Sequence, residues 1–238
     1  MKTVRIVFFL KPDAVIRRYV GARVLKTLIN EVSDLKFLSF IEMNPSKDFL
    51  ADQHYAEHKG KFFFDWLVDY TALGPIYFIM IEASRDMIAK IREVLGPTIV
   101  QKAIAEAPGT IRGKYGIYGG VNVAHASDSL ESANRESKIW EEYLREKLGI
   151  DFSHVNEQEI LEKVLKYIEE YIDYPTIDNK RYLELSEELK EDPSKEHAIK
   201  RKFIELLSKE TSKDFLEGSP SKIEKFAEIL VRNALLRK

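Results

Sequence analysis

The sequence contains no cysteine. Disulfides, thiolate metal sites and cysteine nucleophiles are thereby excluded together, and the composition fits a reducing compartment. A charge excess of either sign is also missing. Thirty-seven basic residues stand against 39 acidic ones, a formal net charge of −2, so the overall field favours neither nucleic acid nor an anionic membrane surface, and an anionic ligand has to be held by a local cluster. Long apolar runs are absent. The opening MKTVRIVFFLKPD carries only a few apolar residues before charge and proline intervene, too few for the core of a signal peptide, and no later run is long enough to cross a bilayer. The expectation is a cytoplasmic protein with no membrane partner. No GxxxxGK[ST] occurs, which excludes a phosphate loop of the Walker type.

The chain is nevertheless long enough, at 238 residues, for a sizeable core and for two small domains. Nine of the 11 glycines precede residue 121, and this shift in composition predicts a mixed domain over 1–137 followed by a helical C-terminal extension over 138–238. In the first part Val4 to Leu10 reads as a buried strand closed by the turn Lys11-Pro12-Asp13. Gly21 to Val32 reads as a helix, Phe37 to Met43 as a second strand, and Asp48 to Tyr70 as one or two helices. Ile76 to Ile81 is the clearest strand, Asp86 to Leu95 a helix ended by Gly96-Pro97, and Val121 to Ala124 the last strand. This order predicts an α+β fold: a ferredoxin-like four-stranded antiparallel sheet with helices, followed by an all-α C-terminal extension. In the extension Asn156 is expected to cap a helix that Pro175 stops, and Ser194 and Ser219 to cap two more.

Histidine is scarce, five in all, and one lies in GGVNVAHASDSLESANRE. Asp128 and Glu131 have capping-box spacing there, so a helix is expected to begin within a few residues of His125 and to bring free amides near it. A neutral imidazole is a nucleophile near pH 7 without special activation, and it needs only orientation; Glu136 is the carboxylate placed to fix its tautomer. Lys11 at the end of a strand, Arg92 and Thr98 around Gly96-Pro97, and Arg112 in the glycine-flanked APGTIRGKYG stand at element ends. Together with the histidine, these four groups read as a polyphosphate site.

FFLKPDAV, HYAEHKGKFFFDWLVDYTALGPI, LGPT, APGTIRG and NVAHASDSLESANRE, in this order, resemble the nucleoside diphosphate kinases over about the first 137 residues. The resemblance implies a phosphotransferase that passes the γ-phosphate of a nucleoside triphosphate, typically ATP, to a nucleoside diphosphate by a ping-pong route, with His125 as the phosphorylated nucleophile. It implies that Lys11 and Asn122 bind the ribose hydroxyls and nearby phosphate oxygens. Tyr55, Arg92, Thr98 and Arg112 would hold the phosphates, Ser127 and Glu136 would support the histidine, and Phe63 would stack on the base. Stacking of that kind contributes roughly 1–3 kcal/mol and chooses weakly among bases. Mg2+ is expected on the nucleotide phosphates rather than in a protein-only metal site. A homo-oligomer is implied, although the long extension leaves hexamer, tetramer or dimer open.

The chain departs from the family pattern at Ala14, Phe62, Lys114, Val121 and Ala126, and the loop over 99–109 is longer than usual, with room for a short helix. None of these changes removes a reactive group. The alternative function is a nucleotide-binding regulatory or scaffolding protein that acts through its extension; keeping all of Lys11, Tyr55, Arg92, Thr98, Arg112, Asn122, His125 and Glu136 speaks against it. The mixed signs of charge along the extension read as a solvated helical surface and give no strong nucleic-acid signal.

Overall fold

The computed structural model describes residues 3–173, 179–211 and 220–236. The opening apolar run forms β1 (Thr3–Leu10), which pairs antiparallel with β4 (Ile76–Ser84) on one side and with β5 (Ala124–Ala126) on the other. Two short segments, β2 (Lys36–Phe37) and β3 (Ile41–Met43), add antiparallel to the far edge of β4. They occupy the place of the single strand expected over Phe37 to Met43, so the sheet keeps the ferredoxin-like order. The break has a local cause: the Ser39 hydroxyl accepts the Met80 backbone N–H at 2.8 Å, and a side chain replaces a rung of the ladder.

Alternation along the central strands sends each residue to one of two cores. Ile6, Phe8 and Leu10 of β1, with Ile79 and Ile81 of β4, pack on α2 (Arg18–Glu31) and α5 (Met87–Leu95). Val7 and Phe9, with Phe78 and Met80, pack on the other face against Trp140 and Leu144 of α8 (Leu130–Leu148). A strand covered on both faces reads as an unbroken apolar run rather than an alternating one.

Several boundaries move for physical reasons. The expected turn after β1 is a one-turn helix, α1 (Pro12–Ile16), with Pro12 at the first position, where its missing N–H costs nothing. Asp48 to Tyr70 becomes α3 (Lys47–Phe49) running through wider turns to His54, then a tight turn at Ala56–His58 and α4 (Phe64–Ala72). The long loop after Thr98 does carry a helix, α6 (Val100–Glu106), followed by α7 (Ile111–Tyr115). The cap of α8 is Ser129, not Asp128. Ser129 is the last residue with extended backbone and its hydroxyl accepts the Ser132 N–H, while the Asp128 carboxylate takes the Ser132 hydroxyl at 2.7 Å. Helix α8 continues unbroken through residue 137, where the composition changes, and ends at Gly149 in the left-handed region.

Beyond α8 the described residues are mostly helical. Asn156 caps α9 (Glu157–Tyr171) as expected, while Pro175 and Ser219 lie outside the described residues. Ser194 does not cap α11 (Glu196–Glu210); it sits in a short turn after α10 (Lys180–Glu191), where Asp192 accepts from both its N–H and its hydroxyl. The last helix is α12 (Pro220–Leu235). Helix α9 joins the core on the α2 face through Val164, Tyr167 and Ile168. Gly21 leaves room there for the Tyr167 hydroxyl, which donates to the Arg18 carbonyl at 3.2 Å.

Helices α10, α11 and α12 build a third core around Tyr182, Phe203 and Phe226, which extends onto Ile16, Trp66, Tyr70 and Tyr118 of the first domain. Each such ring contributes about 1.5–3 kcal/mol on burial. The junction also hides charge. Arg17, fully buried, lies 3.3 Å from Asp13 and 3.6 Å from Glu210 of α11, and Glu210 accepts the Tyr182 hydroxyl at 3.0 Å. Among the described residues no helix is long and apolar enough to cross a membrane.

Candidate active site

His125 lies inside β5, directly across from Phe9 of β1. The two rings stack with centroids 4.7 Å apart and planes 18° from parallel, which fixes the imidazole plane. The strand starts at Ala124 rather than at Val121 because the backbone turns sharply just before it: Ala124 N–H donates to the Asn122 carbonyl at 2.9 Å around Val123, whose φ is +69°. A β-branched residue in that region is strained, and the surrounding structure holds it there. The Val123 carbonyl accepts the Lys11 N–H at 2.9 Å, and its side chain is fully buried. The strained turn lets Asn122 and His125, three residues apart, both line one cleft. Ala126, one of the departures from the family pattern, is ordinary strand paired with Phe8 and needs no positive φ.

The ring is oriented through Nε2. That nitrogen lies 2.9 Å from Glu136 Oε2, which also accepts the Ser127 hydroxyl at 2.8 Å. A carboxylate accepts only, so Nε2 carries the proton and Nδ1 keeps its lone pair. Glu136 is 4 % exposed, and burial pushes its carboxyl upward; the His125 imidazole it faces and the hydrogen bonds from His125 and Ser127 outweigh that and bring it down to about 2. His54 was not singled out in the sequence, yet its ring meets that of His125 edge-on at 4.7 Å. The Trp140 indole N–H donates to His54 Nδ1 at 3.2 Å, and burial keeps this second imidazole neutral, so His54 Nε2 carries an N–H that no described group accepts.

Lys11, Arg92 and Arg112 line the cleft around His125. Lys11, 6 % exposed, donates to Asn122 Oδ1 at 2.8 Å, and the Asn122 amide in turn donates to the Thr98 carbonyl at 2.7 Å. Burial, with the like charges of Arg112 and Arg92, pushes the Lys11 amine down to about 7 against the pull of Asp13. Arg112 donates to the carbonyls of Gly96 and Ala124 at 2.9 Å each, and burial followed by the charge of Arg92 lowers it to about 9. Arg92 reaches Thr98 Oγ1 and the Ala126 carbonyl at 3.4 Å. Among the described residues none of the three forms an ion pair with a carboxylate, although two are almost fully buried. Uncompensated buried charge is costly unless a ligand supplies the counter-ion, and the lowered values of Lys11 and Arg112 record that cost.

These groups line a cavity of about 730 Å3 that also takes in Tyr55 and Phe63. Tyr55 is buried with its hydroxyl 3.2 Å from Thr71 Oγ1, so what it offers the cleft is mainly its ring. Phe63 is half-buried beside Phe62, which is 50 % exposed. Ser127 stands behind Glu136, fully buried. The structure thus brings every sequence-predicted residue to the cleft or directly behind it. Phe9, His54 and Trp140 escaped the sequence reading because they looked like core. So did Lys190, Asn233, Ala234 and Leu236, which come from the extension and line the same cavity.

A sequence model of the nucleoside diphosphate kinase family matches residues 4–143. The chain belongs to that family. It is 43% identical over 140 residues to the nucleoside diphosphate kinase of Schizosaccharomyces pombe, a span of 59% of this chain and 87% of the relative, and 38% identical over 136 residues to that of Staphylococcus epidermidis, 57% of this chain and 86% of the relative. Among solved structures, the nucleoside diphosphate kinase of Aquifex aeolicus superposes with a TM-score of 0.52 at 29% identity, covering 58% of this chain and 95% of that one. The Halobacterium salinarum kinase, solved in complex with CDP, gives 0.51 at 34%, covering 58% and 86%. The chain is thus a phosphotransferase whose family match ends at residue 143, and about a hundred further residues follow, mostly helical where described.

Proposed function

We propose that the protein transfers the γ-phosphoryl group of a nucleoside triphosphate, typically ATP, to a nucleoside diphosphate through a phosphohistidine at His125 Nδ1. The observation that carries this reading is the tautomer: Glu136 accepts the hydrogen bond that Nε2–H donates, leaving the other ring nitrogen with its lone pair in a cleft lined by three cations that have no carboxylate partner among the described residues. In the first half-reaction Nδ1 attacks the γ-phosphorus in line, the bond to the β–γ bridging oxygen breaks, and the nucleoside diphosphate leaves with that oxygen. In the second, a terminal β-phosphate oxygen of the acceptor attacks the phosphorus and the N–P bond breaks, which restores the imidazole. Phosphoryl transfer needs little beyond placement and charge neutralisation. Arg92, Arg112 and Lys11 supply the charge, Thr98 and Tyr55 the walls, and Asn122, held by Lys11 and the Thr98 carbonyl, the polar contact to the ribose. Phe63 offers a ring to the base that every base can stack on.

Mg2+ enters on the nucleotide phosphates. The one set of donor atoms that clusters among the described residues, His54, His125 and Glu136 within 4.8 Å, suits it poorly: magnesium prefers oxygen ligands in octahedral array, and the Glu136 oxygen nearest the histidine already accepts two hydrogen bonds. A metal on the phosphates lowers their charge, and the chain's own residues then position the complex. Nucleoside di- and triphosphates are the partners, and the family resemblance supports a homo-oligomer, tested by sedimentation of the full chain.

Enzyme incubated with γ-labelled ATP and magnesium, quenched in alkali, is expected to carry label only when His125 is intact, and a GDP chase is expected to remove it as GTP. Folded, ATP-binding enzyme that takes up no label contradicts the reading.

A further inference from the structure

Helix α12 touches both walls of the nucleotide cleft. On one side the Trp66 indole of α4 donates to the Ile229 carbonyl at 3.0 Å, and Arg232 pairs with Asp69 of α4 at 2.8 Å. On the other, Asn233 takes hold of the turn that leads into Asn122: its amide nitrogen donates to the Tyr118 carbonyl at 2.7 Å, and its oxygen accepts the Gly120 N–H at 3.4 Å. Asn233 is only 6 % exposed. The turn is also closed by its own Tyr118–Val121 bridge and tied to α6, where the Val100 N–H donates to the Gly119 carbonyl and Gln101 accepts the Gly119 N–H, each at 3.0 Å; Asn233 adds the tie from the extension. The turn contains two consecutive glycines, and a Cβ at Gly119 would meet the Asn233 side chain, while one at Gly120 would meet the Trp66 ring, so backbone, indole and amide are closely fitted. Ala234 and Leu236 then carry the extension onto the cavity lining itself, where Phe62, Phe63 and Leu67 form the apolar part. The cations and His125 account for the polar part.

We propose that the helical extension builds the nucleoside end of this cleft within a single chain. Asn233 is a positioning residue that holds the Tyr118–Val121 turn, and through it Asn122, in binding geometry; Leu236 adds apolar wall for the base. The ligand class is the nucleoside portion of any nucleoside di- or triphosphate. The proposal rests on the phosphotransfer reading for its ligand but places no extension residue in the chemistry. The extension therefore sets nucleotide affinity and leaves the reactivity of the histidine unchanged.

The test uses the full chain with Asn233→Ala and, separately, Leu236→Ala, a half-buried position just past the end of α12 at the edge of the helical core. ADP affinity is read by calorimetry, KM and kcat by steady-state transfer, and His125 reactivity by labelling with phosphoramidate, a phosphoryl donor without a nucleoside. Both variants are expected to bind ADP at least about fivefold more weakly, roughly 1 kcal/mol, with KM raised to match, kcat nearly unchanged and phosphoramidate labelling at the wild-type rate. Unchanged ADP affinity in both overturns the proposal. So does a parallel fall in nucleotide and phosphoramidate reactions, which marks general loosening. Weakened ADP binding in variants of a wild type that phosphoramidate and ATP never label supports the extension's role and removes the transfer reading alone.

Discussion

Replacing Glu136 by glutamine removes the charge behind His125 while keeping the shape. In the native site Glu136 Oε2 accepts hydrogen bonds from His125 Nε2 at 2.9 Å and the Ser127 hydroxyl at 2.8 Å, with Arg135 3.6 Å from its other oxygen. As Nδ1 bonds to phosphorus, positive charge grows on the ring, and in the wild type it meets a buried carboxylate held ionised to about pH 2. In Glu136→Gln it meets a neutral amide. Hydrogen bonds to charged groups contribute about 1.5–3 kcal/mol, and a loss of about 2 kcal/mol slows phosphorylation roughly thirtyfold. The glutamine NH2 can also turn toward Nε2 and favour the wrong tautomer, which adds to the loss. The assay is rapid-quench labelling from γ-labelled ATP at saturation, beside ADP affinity, which the substitution should leave alone because Glu136 sits behind the ring. Phosphorylation within about twofold of wild type, with intact binding, refutes the argument that this carboxylate drives the step.

Three further outcomes follow from the geometry. Arg17→Leu strands Asp13 and Glu210 in the junction between the domain and the extension; the expected cost is about 3–5 kcal/mol, seen in calorimetry as a Tm fall of roughly 10 °C for a chain of this size, and an unchanged Tm contradicts it. Lys11, about 7 in the free enzyme, is driven to its charged form by bound phosphates, so nucleotide binding takes up protons near neutral pH and weakens as pH rises above 7; calorimetry in buffers of different ionisation enthalpy measures the uptake, and proton release would show the sign to be wrong. Ala126→Gly is expected to leave transfer rates intact and lower stability by about 0.5–1 kcal/mol, since residue 126 is plain strand; a large rate increase in stopped-flow would mean that the methyl hinders the nucleophile.

Much of this was legible in the sequence because it was local. The apolar run to Leu10, the Asn156 cap and the short helix in the loop over 99–109 follow from neighbours within a few residues. Asp128 was taken for a cap that Ser129 supplies, because the spacing to Glu131 cannot say which of two adjacent polar residues is the last extended one. The last strand was set three residues early, since nothing in VNVA announces that Val123 turns the chain at positive φ. The reactive groups were found through motif resemblance, but their partners were not. Phe9 reads as core and is core; that it also lies flat on His125 is a matter of strand register. Asn233 and Leu236 lie more than a hundred residues beyond His125 in sequence, and only packing of α12 on Trp66 and Tyr118 brings them to the cleft.

The central claim is that Glu136 leaves one particular nitrogen of His125 free to accept a phosphoryl group. Enzyme phosphorylated by ATP and kept in alkali can be examined by nitrogen–phosphorus and long-range proton–nitrogen NMR after 15N labelling of histidine. The account predicts a single phosphohistidine, at residue 125, with phosphorus on Nδ1 and the proton on Nε2. Phosphorus on Nε2, or on a histidine other than 125, contradicts it.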